Sequence, residues 1–347
     1  MSRKMDYTRV NKKLILIIGI LSLMLLAGCE GGFLKGRKGN APITDVDIRE
    51  GFDGLSMQFL QNAPPDNVFT ETGFPIAIDL KNNGASDIKD TKGILVIGLE
   101  TNYAELVKEV DKNGIRFGLN GKSIYNPVGD KDVIEIDARA KRIGEQSETF
   151  TSRVSATACY PYKTIFGTSV CVDTDVYGAI KGLKACTVKD LEFDKGQGAP
   201  VAVTKVEARM LAGIDKNIVK PHFIIHIENK GNGQVIDPQE GIISRACTKE
   251  PLEYKNFNSI QIKVSLSGKD LNCRIGESES EDGEGGTAAG PTTIIRLREK
   301  KDFVRCTLEE GIDRGRDAYV TPLKVELDYG YTFTISKNVV IKKGVTY

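Results

Sequence analysis

The run "PLKVELDYGYTFTIS" occupies residues 322–336, and its period decides the fold. Leu323, Val325, Leu327, Tyr329, Tyr331, Phe333 and Ile335 recur at every second position, with Lys324, Glu326, Asp328, Thr332 and Thr334 between them. Successive side chains of an extended strand point to opposite faces, so this run buries one face and wets the other. A helical period near 3.6 would scatter the same residues around the axis. Lys337 and Asn338 then read as a tight turn into "VVIKK" (339–343), a closing hairpin.

The same alternation recurs in "FTSRVSATACY" (150–160), "VAVTKVEARM" (201–210) and "SIQIKVSL" (259–266). Two stretches also resemble each other. "FPIAIDLKNNG" (74–84) puts Phe74, Ile76, Ile78 and Leu80 on one face, and "PHFIIHIENKG" (221–231) does so with Phe223, Ile225 and Ile227. Each closes on an Asn-x-Gly turn, Asn82-Asn83-Gly84 and Asn229-Lys230-Gly231. This is a weak internal repeat: one unit, used twice. Only "NYAELVKEV" (102–110) spaces its apolar residues as a short helix would, and an edge strand fits it nearly as well. Many short strands with Gly and Asn turns predict an all-β chain of antiparallel β-sandwiches.

The strand ending in Asn-x-Gly resembles the immunoglobulin-like domains of the CARDB type, over about ten residues per copy. That resemblance implies two immunoglobulin-like β-sandwich domains. "KGQGAP" (195–200) serves as the boundary, giving a first domain over 43–195 and a second over 196–347. "GESESEDGEGGTAAGP" (276–291) has nothing apolar to bury and is expected to be a disordered acidic loop within the second.

The first residues form three zones. Arg3, Lys4, Arg9, Lys12 and Lys13 precede an apolar run over residues 14–28, which ends in small residues before Cys29. Those 15 residues fall short of the roughly 20 that span hydrocarbon, and suit a secretory leader. Leu26-Ala27-Gly28-Cys29 resembles the lipobox of prokaryotic lipoproteins. In that family the leader (here 1–28) is removed and the cysteine sulfur carries a lipid, so the resemblance implies that Cys29 is the anchor to a cell membrane. "EGGFLKGRKGN" (30–40) suits a flexible tether, drawn over 29–42.

Charge and cysteine content narrow the function. The chain holds 48 Lys+Arg and 47 Asp+Glu; the leader takes five of the former and one of the latter, leaving 43 against 46. That near balance gives no electrostatic footprint for nucleic acid. Apart from Cys29 there are six cysteines, the even number a disulfide framework needs in an exported chain. Strand parity turns Cys273 and Cys306 inward, which predicts a 273–306 bridge. Cys159 and Cys171 lie off the apolar face, flanking "YPYKTIFGTS" (160–169), which predicts a 159–171 bridge around a loop. Cys186 and Cys247 then pair by elimination and would tie the two domains together.

Candidate chemistry is sparse. His222 and His226 are the only histidines, and four residues along a strand span roughly 13 Å. One zinc, with ligands about 2 Å away, is out of their joint reach, so no metal is expected. "DTD" (173–175) and the acids of 277–284 offer calcium oxygens without EF-hand spacing. There is no G-x-S-x-G elbow, P-loop or dinucleotide fingerprint, so no cofactor and no enzymatic role is expected. Tyr160, Pro161 and Tyr162, at the tip of the expected 159–171 loop, either form a recognition surface or pack beneath their own loop.

The resulting expectation is a membrane-anchored, extracytoplasmic lipoprotein with a non-catalytic binding, adhesion or envelope-assembly role. Its partner would be a protein or an envelope polymer at the cell surface. The alternatives are an envelope-acting hydrolase with carboxylates at the inter-domain junction, and a solute-binding lipoprotein, which would need helices that are nearly absent from this sequence.

Overall fold

The computed structural model describes residues 48–344, apart from 109–113, 180–181, 216, 249, 276–291 and 316. The lipobox with Cys29, the tether and the acidic loop 276–291 lie outside the described residues. The described residues all belong to one compact unit.

The strands before residue 195 are β1 (Leu55–Phe59), β2 (Asn67–Phe69), β3 (Gly73–Asn82), β4 (Ile88–Leu99), β5 (Ala104–Leu106), β6 (Ile115–Leu119), β7 (Lys131–Ala140), β8 (Thr149–Val172) and β9 (Leu191–Glu192). After it come β10 (Val201–Ala212), β11 (Ile218–Asn229), β12 (Gln234–Ile236), β13 (Ser259–Leu266), β14 (Lys269–Asp270), β15 (Asn272–Ile275), β16 (Thr293–Arg296), β17 (Lys301–Thr307), β18 (Ile312–Asp313) and β19 (Tyr319–Lys342). One short helix, α1 (Glu240–Ala246), stands among them. The chain is all-β, as its alternation predicts.

A central sheet runs β14-β13-β19-β8-β4-β6, with β2, β12 and β16 attached. One further sheet is ordered β1-β3-β7-β5, another β15-β17-β11-β10-β9 with β18 beside β11. The alternating run of residues 322–336 lies in β19, which pairs antiparallel with β8 from Tyr319↔Val172 to Lys342↔Thr149. At about 3.3 Å per residue these 24-residue strands extend roughly 80 Å, far beyond one ordinary sandwich. β8 begins against the first sheet, where Phe150 stacks on Tyr103, and ends against the second, where Phe166 meets Phe193. β19 runs the other way: past its midpoint it reaches residues of the first half, and Val340–Lys342 pairs in parallel with β2. Inward residues of both strands join the other two sheets in one continuous hydrophobic core.

This topology corrects three expectations. A boundary at 195–196 does not separate two independent sandwiches, because each long strand serves both halves. "KGQGAP" is no linker: Gln197, Gly198, Ala199 and Pro200 are buried. Gln197 closes on Val203, donating from Nε2 to its carbonyl (3.1 Å) and accepting from its N–H (2.8 Å). No turn interrupts 337–339, since β19 continues through it. The repeat itself is present. Tyr160 and Tyr162 in β8 match Tyr329 and Tyr331 in β19, with Pro161 opposite Gly330 at the centre of the pair. Leu95 lies opposite Ala158 as Ile262 lies opposite Leu327, each partner two residues before its tyrosine. The place held by the unbroken β4 is held in the second half by β12 and β13. Residues 237–258, which carry α1, are therefore an insertion. "NYAELVKEV" supplies β5, an edge strand.

The disulfides follow the topology. Cys273–Cys306 forms as parity predicts, between paired β15 and β17. Cys159 bonds Cys247, and Cys171 bonds Cys186, so the expected 159–171 and 186–247 bridges are corrected. Cys159 and Cys171 stand on one continuous strand, about 40 Å apart at 12 residues, and no disulfide spans that. The parity is right, since Cys159 does face away from the main core. It is nevertheless fully buried, because the insertion covers it in a small cluster with Ile94, Ile236 and Ile243. Three disulfides indicate an oxidising, extracytoplasmic compartment.

Candidate functional site

The insertion walls a concavity. Pro238, Glu240, Ile243 and Ser244 form one wall and the outer face of the central sheet forms the other, through Pro161, Lys163 and Ile165 of β8 and Asp328 of β19. The turn Ala85-Ser86-Asp87, Lys89, Lys92, Arg116 and Arg49 complete a groove of about 650 Å³. The Cys159–Cys247 bond and the Lys92–Glu240 ion pair (2.7 Å) hold the wall to the sheet. Helix α1 has no side-chain cap and a glycine in its first turn, so its own sequence carries little helical signal. Tertiary ties hold it.

Five cationic side chains and three carboxylates line this groove. Hydrogen bonding to Lys92 holds Glu240 below the usual carboxylate range. Burial pulls Lys163 down, but Asp328 and Glu326, each 3.2 Å away, outweigh it and leave its pKa raised. Arg116 donates to the Thr91 carbonyl at 3.4 Å. A second groove, of about 730 Å³, meets the first at Arg49 and Ile165 and is lined by Glu50, Glu192, Asp194, Lys195 and Lys324 beside Phe166 and Phe193. The two share Arg49 and Ile165 and make one trough.

Of the three expected recognition residues, Pro161 and Tyr162 line this groove and Tyr160 does not, and neither tyrosine is exposed. Tyr160 and Tyr162 sit in the middle of β8, 0 % and 3 % exposed, because "YPYKTIFGTS" is strand and not loop. Burial raises both phenols. Pro161, on the opposite face, reaches the groove. The expected bridging cysteines are all in disulfides, and two of the six, Cys159 and Cys247, support the groove wall.

The histidines keep apart, as their spacing requires. His222 Nδ1 is 2.7 Å from Thr307 Oγ1, and His226 Nε2 is 3.0 Å from Glu207 Oε1. Asp173 and Asp175 meet the ammonium of Lys184 at 2.7 and 3.2 Å, so the "DTD" oxygens hold a lysine. Among the described residues no group of three His, Cys, Asp or Glu side chains is arranged to hold a metal.

No family model and no curated protein sequence matches the chain. Among solved structures, it is similar at a TM-score of 0.19 and 10 % identity to the secreted serine protease VesC from Vibrio cholerae, over 80 % of this chain and 50 % of that one. It is similar at a TM-score of 0.15 and 8 % identity to the CupB6 tip adhesin from Pseudomonas aeruginosa, over 86 % and 99 %. The chain thus spans half the length of the protease, and neither likeness is close enough to bear on what it does.

Proposed function

We propose that the protein is a lipid-anchored, extracytoplasmic binding or assembly protein without a catalytic role. It is attached through Cys29 and receives a segment of a partner protein or envelope polymer in the trough beside α1. The observation that carries this reading is the insertion. It is present in only one copy of the repeat, and a disulfide pins it so that it walls a groove where the other copy has unbroken strand. Within the first groove five cations stand against three carboxylates, which favours a partner with acidic groups there.

A photo-crosslinking residue at Ile165, in intact cells, tests the reading. A discrete adduct that disappears in an Arg116→Glu, Lys163→Glu variant supports it, and the absence of any adduct removes it. The intact mass of protein from the membrane fraction tests the anchor separately: it is expected to begin at Cys29 and carry lipid.

A further inference from the structure

The segment between β6 and β7, "NGKSIYNPVGD" (120–130), points three apolar side chains into solvent. Ile124 is 58 %, Tyr125 97 % and Val128 61 % exposed. A loop with nothing to bury usually spends such positions on polar residues, and these three lie within five residues of one another.

The loop is braced. Asp130 Oδ2 accepts from the Asn120 backbone N–H (3.0 Å) and from Asn120 Nδ2 (2.8 Å), and its Oδ1 accepts from Asn126 Nδ2 (2.7 Å). Ser123 N–H donates to the Asn126 carbonyl at 2.9 Å, closing the tip. The base rests on the Asn82–Ala85 turn. Lys122 N–H donates to the Gly84 carbonyl (2.7 Å), and Gly129 takes φ +71° with its backbone against the Asn82 carbonyl. The ordering entropy of the tip is thus already spent within the fold, and the apolar side chains stand ready to bury.

The loop also lies where the chain enters the fold. A side chain on Gly198 would meet the Ile48 carbonyl at 3.2 Å, Ala85 N–H donates to the Gly198 carbonyl at 2.7 Å, and Gly121 packs on the backbone of Ala85. Ile48, the first described residue, is therefore only a few residues' width from the loop base. Between Cys29 and Ile48 lie 18 residues of chain, whose reach cannot exceed roughly 65 Å. Anchoring at Cys29 attaches the lipid to the chain at this end of the molecule. The turn carrying Ile214, also fully exposed, lies at the far end of β10, about 40 Å along the sheet from Val201.

We infer that Ile124, Tyr125 and Val128 dip into the bilayer to which the chain is anchored, so that the lipid and the loop together fix the molecule's orientation on the membrane. This rests on the Cys29 anchor proposed above. Tyrosine places its ring at the acyl boundary and its hydroxyl in the headgroups, Ile124 and Val128 enter beside it, and Lys122 remains at headgroup level.

The chain contains no tryptophan, so one introduced at the loop is a lone reporter. Full-length Tyr125→Trp protein, taken from the membrane fraction, is placed in phosphatidylcholine–phosphatidylglycerol vesicles with and without acyl-brominated lipid. An interfacial side chain sits about 5–10 Å deep, so Tyr125→Trp is expected to lose roughly half its emission to the bromines, while Ile214→Trp keeps its own. Val128→Trp serves in the same way should the first variant fold poorly. If the protein floats with the vesicles but neither loop tryptophan is quenched beyond Ile214→Trp, the inference is overturned and the anchor stands. If the protein does not float at all, the anchor is absent and the inference falls with it.

Discussion

The hydroxyl of Tyr162 donates to Asn82 Oδ1 at 2.9 Å, and 169 residues later Tyr331 repeats the bond to Asn229 Oδ1 at 3.2 Å. In both copies the asparagine side chain turns back on its own loop. Asn82 Oδ1 accepts from the Gly84 N–H and its Nδ2 donates to the Ser86 carbonyl, while Asn229 Oδ1 accepts from the Gly231 N–H and its Nδ2 donates to the Gly233 carbonyl. The Asn-x-Gly turns at the ends of β3 and β11 are thus clamped from the central sheet by a tyrosine each.

The third residue of each turn is glycine because the phenol leaves no room. A Cβ on Gly84 would stand 2.0 Å from the Tyr162 hydroxyl, and one on Gly231 2.2 Å from that of Tyr331. Tyr162→Phe and Tyr331→Phe are each expected to cost about 1–2 kcal/mol in urea unfolding, the effect of leaving a buried acceptor short of a donor. Gly84→Ala is expected to cost more. In the double variant with Tyr162→Phe part of that cost returns, because the nearest clashing atom is gone while the Asp53 and Gly198 carbonyls remain. Strict additivity would refute the close-approach account.

Tyr160 and Tyr329 provide the contrast. Tyr329 is bonded to Thr164 Oγ1 (3.1 Å) and accepts from the Val201 N–H (3.4 Å). Tyr160, its counterpart, has no hydrogen-bond partner among the described residues, with the Leu55 backbone nearby but outside bonding geometry. Tyr160→Phe is therefore expected to leave stability unchanged or raise it, and Tyr329→Phe to lower it by about 1 kcal/mol. Equal losses would show that the Tyr160 hydroxyl is satisfied in solution.

Replacing both members of a disulfide tests the topology. In the chain-entropy model the Cys159–Cys247 link, 88 residues apart, constrains the unfolded chain by about 4.5 kcal/mol, and Cys171–Cys186, 15 apart, by about 3 kcal/mol. Cys159→Ala, Cys247→Ala protein is expected to lose more stability than the 171/186 pair and to gain protease cleavage sites within residues 237–258. Peptide mapping without reduction should recover 159–247, 171–186 and 273–306. A 159–171 peptide would contradict the continuous β8.

Acidification acts on His222. Burial, reinforced by Arg305 and Arg209, lowers its pKa below the ordinary 6.5, against a smaller opposing effect of Glu309. The fold therefore favours the neutral ring, and the native state binds fewer protons than the unfolded chain. Stability from this group is present above pH 6.5 and is lost as the pH falls from there. Thermal midpoints are expected to decline between pH 7 and 5, and less steeply in His222→Gln, whose amide can still meet Thr307. An unchanged slope would remove His222 from the account.

Much of this architecture was legible in the residues. Period-two alternation settled the class and placed β3, β10, β11, β13 and β19, and the matched Asn-x-Gly ends revealed the repeat. Parity alone found the Cys273–Cys306 bridge, since both cysteines turn inward on strands close in the chain. Parity cannot say what covers a strand's other face, and so it misassigned Cys159. A polar-looking alternation there hid a buried face, because its cover comes from an insertion 88 residues away.

Sequence by itself determined the strands, their inward faces, the duplication and the even set of cysteines, because these depend on the local geometry of an extended chain. Only the tertiary structure decided that the two copies share their longest strands, which cysteines meet, and that a groove exists. Those outcomes depend on which distant segments pack together, and a strand's pattern of burial is the same whichever neighbour buries it.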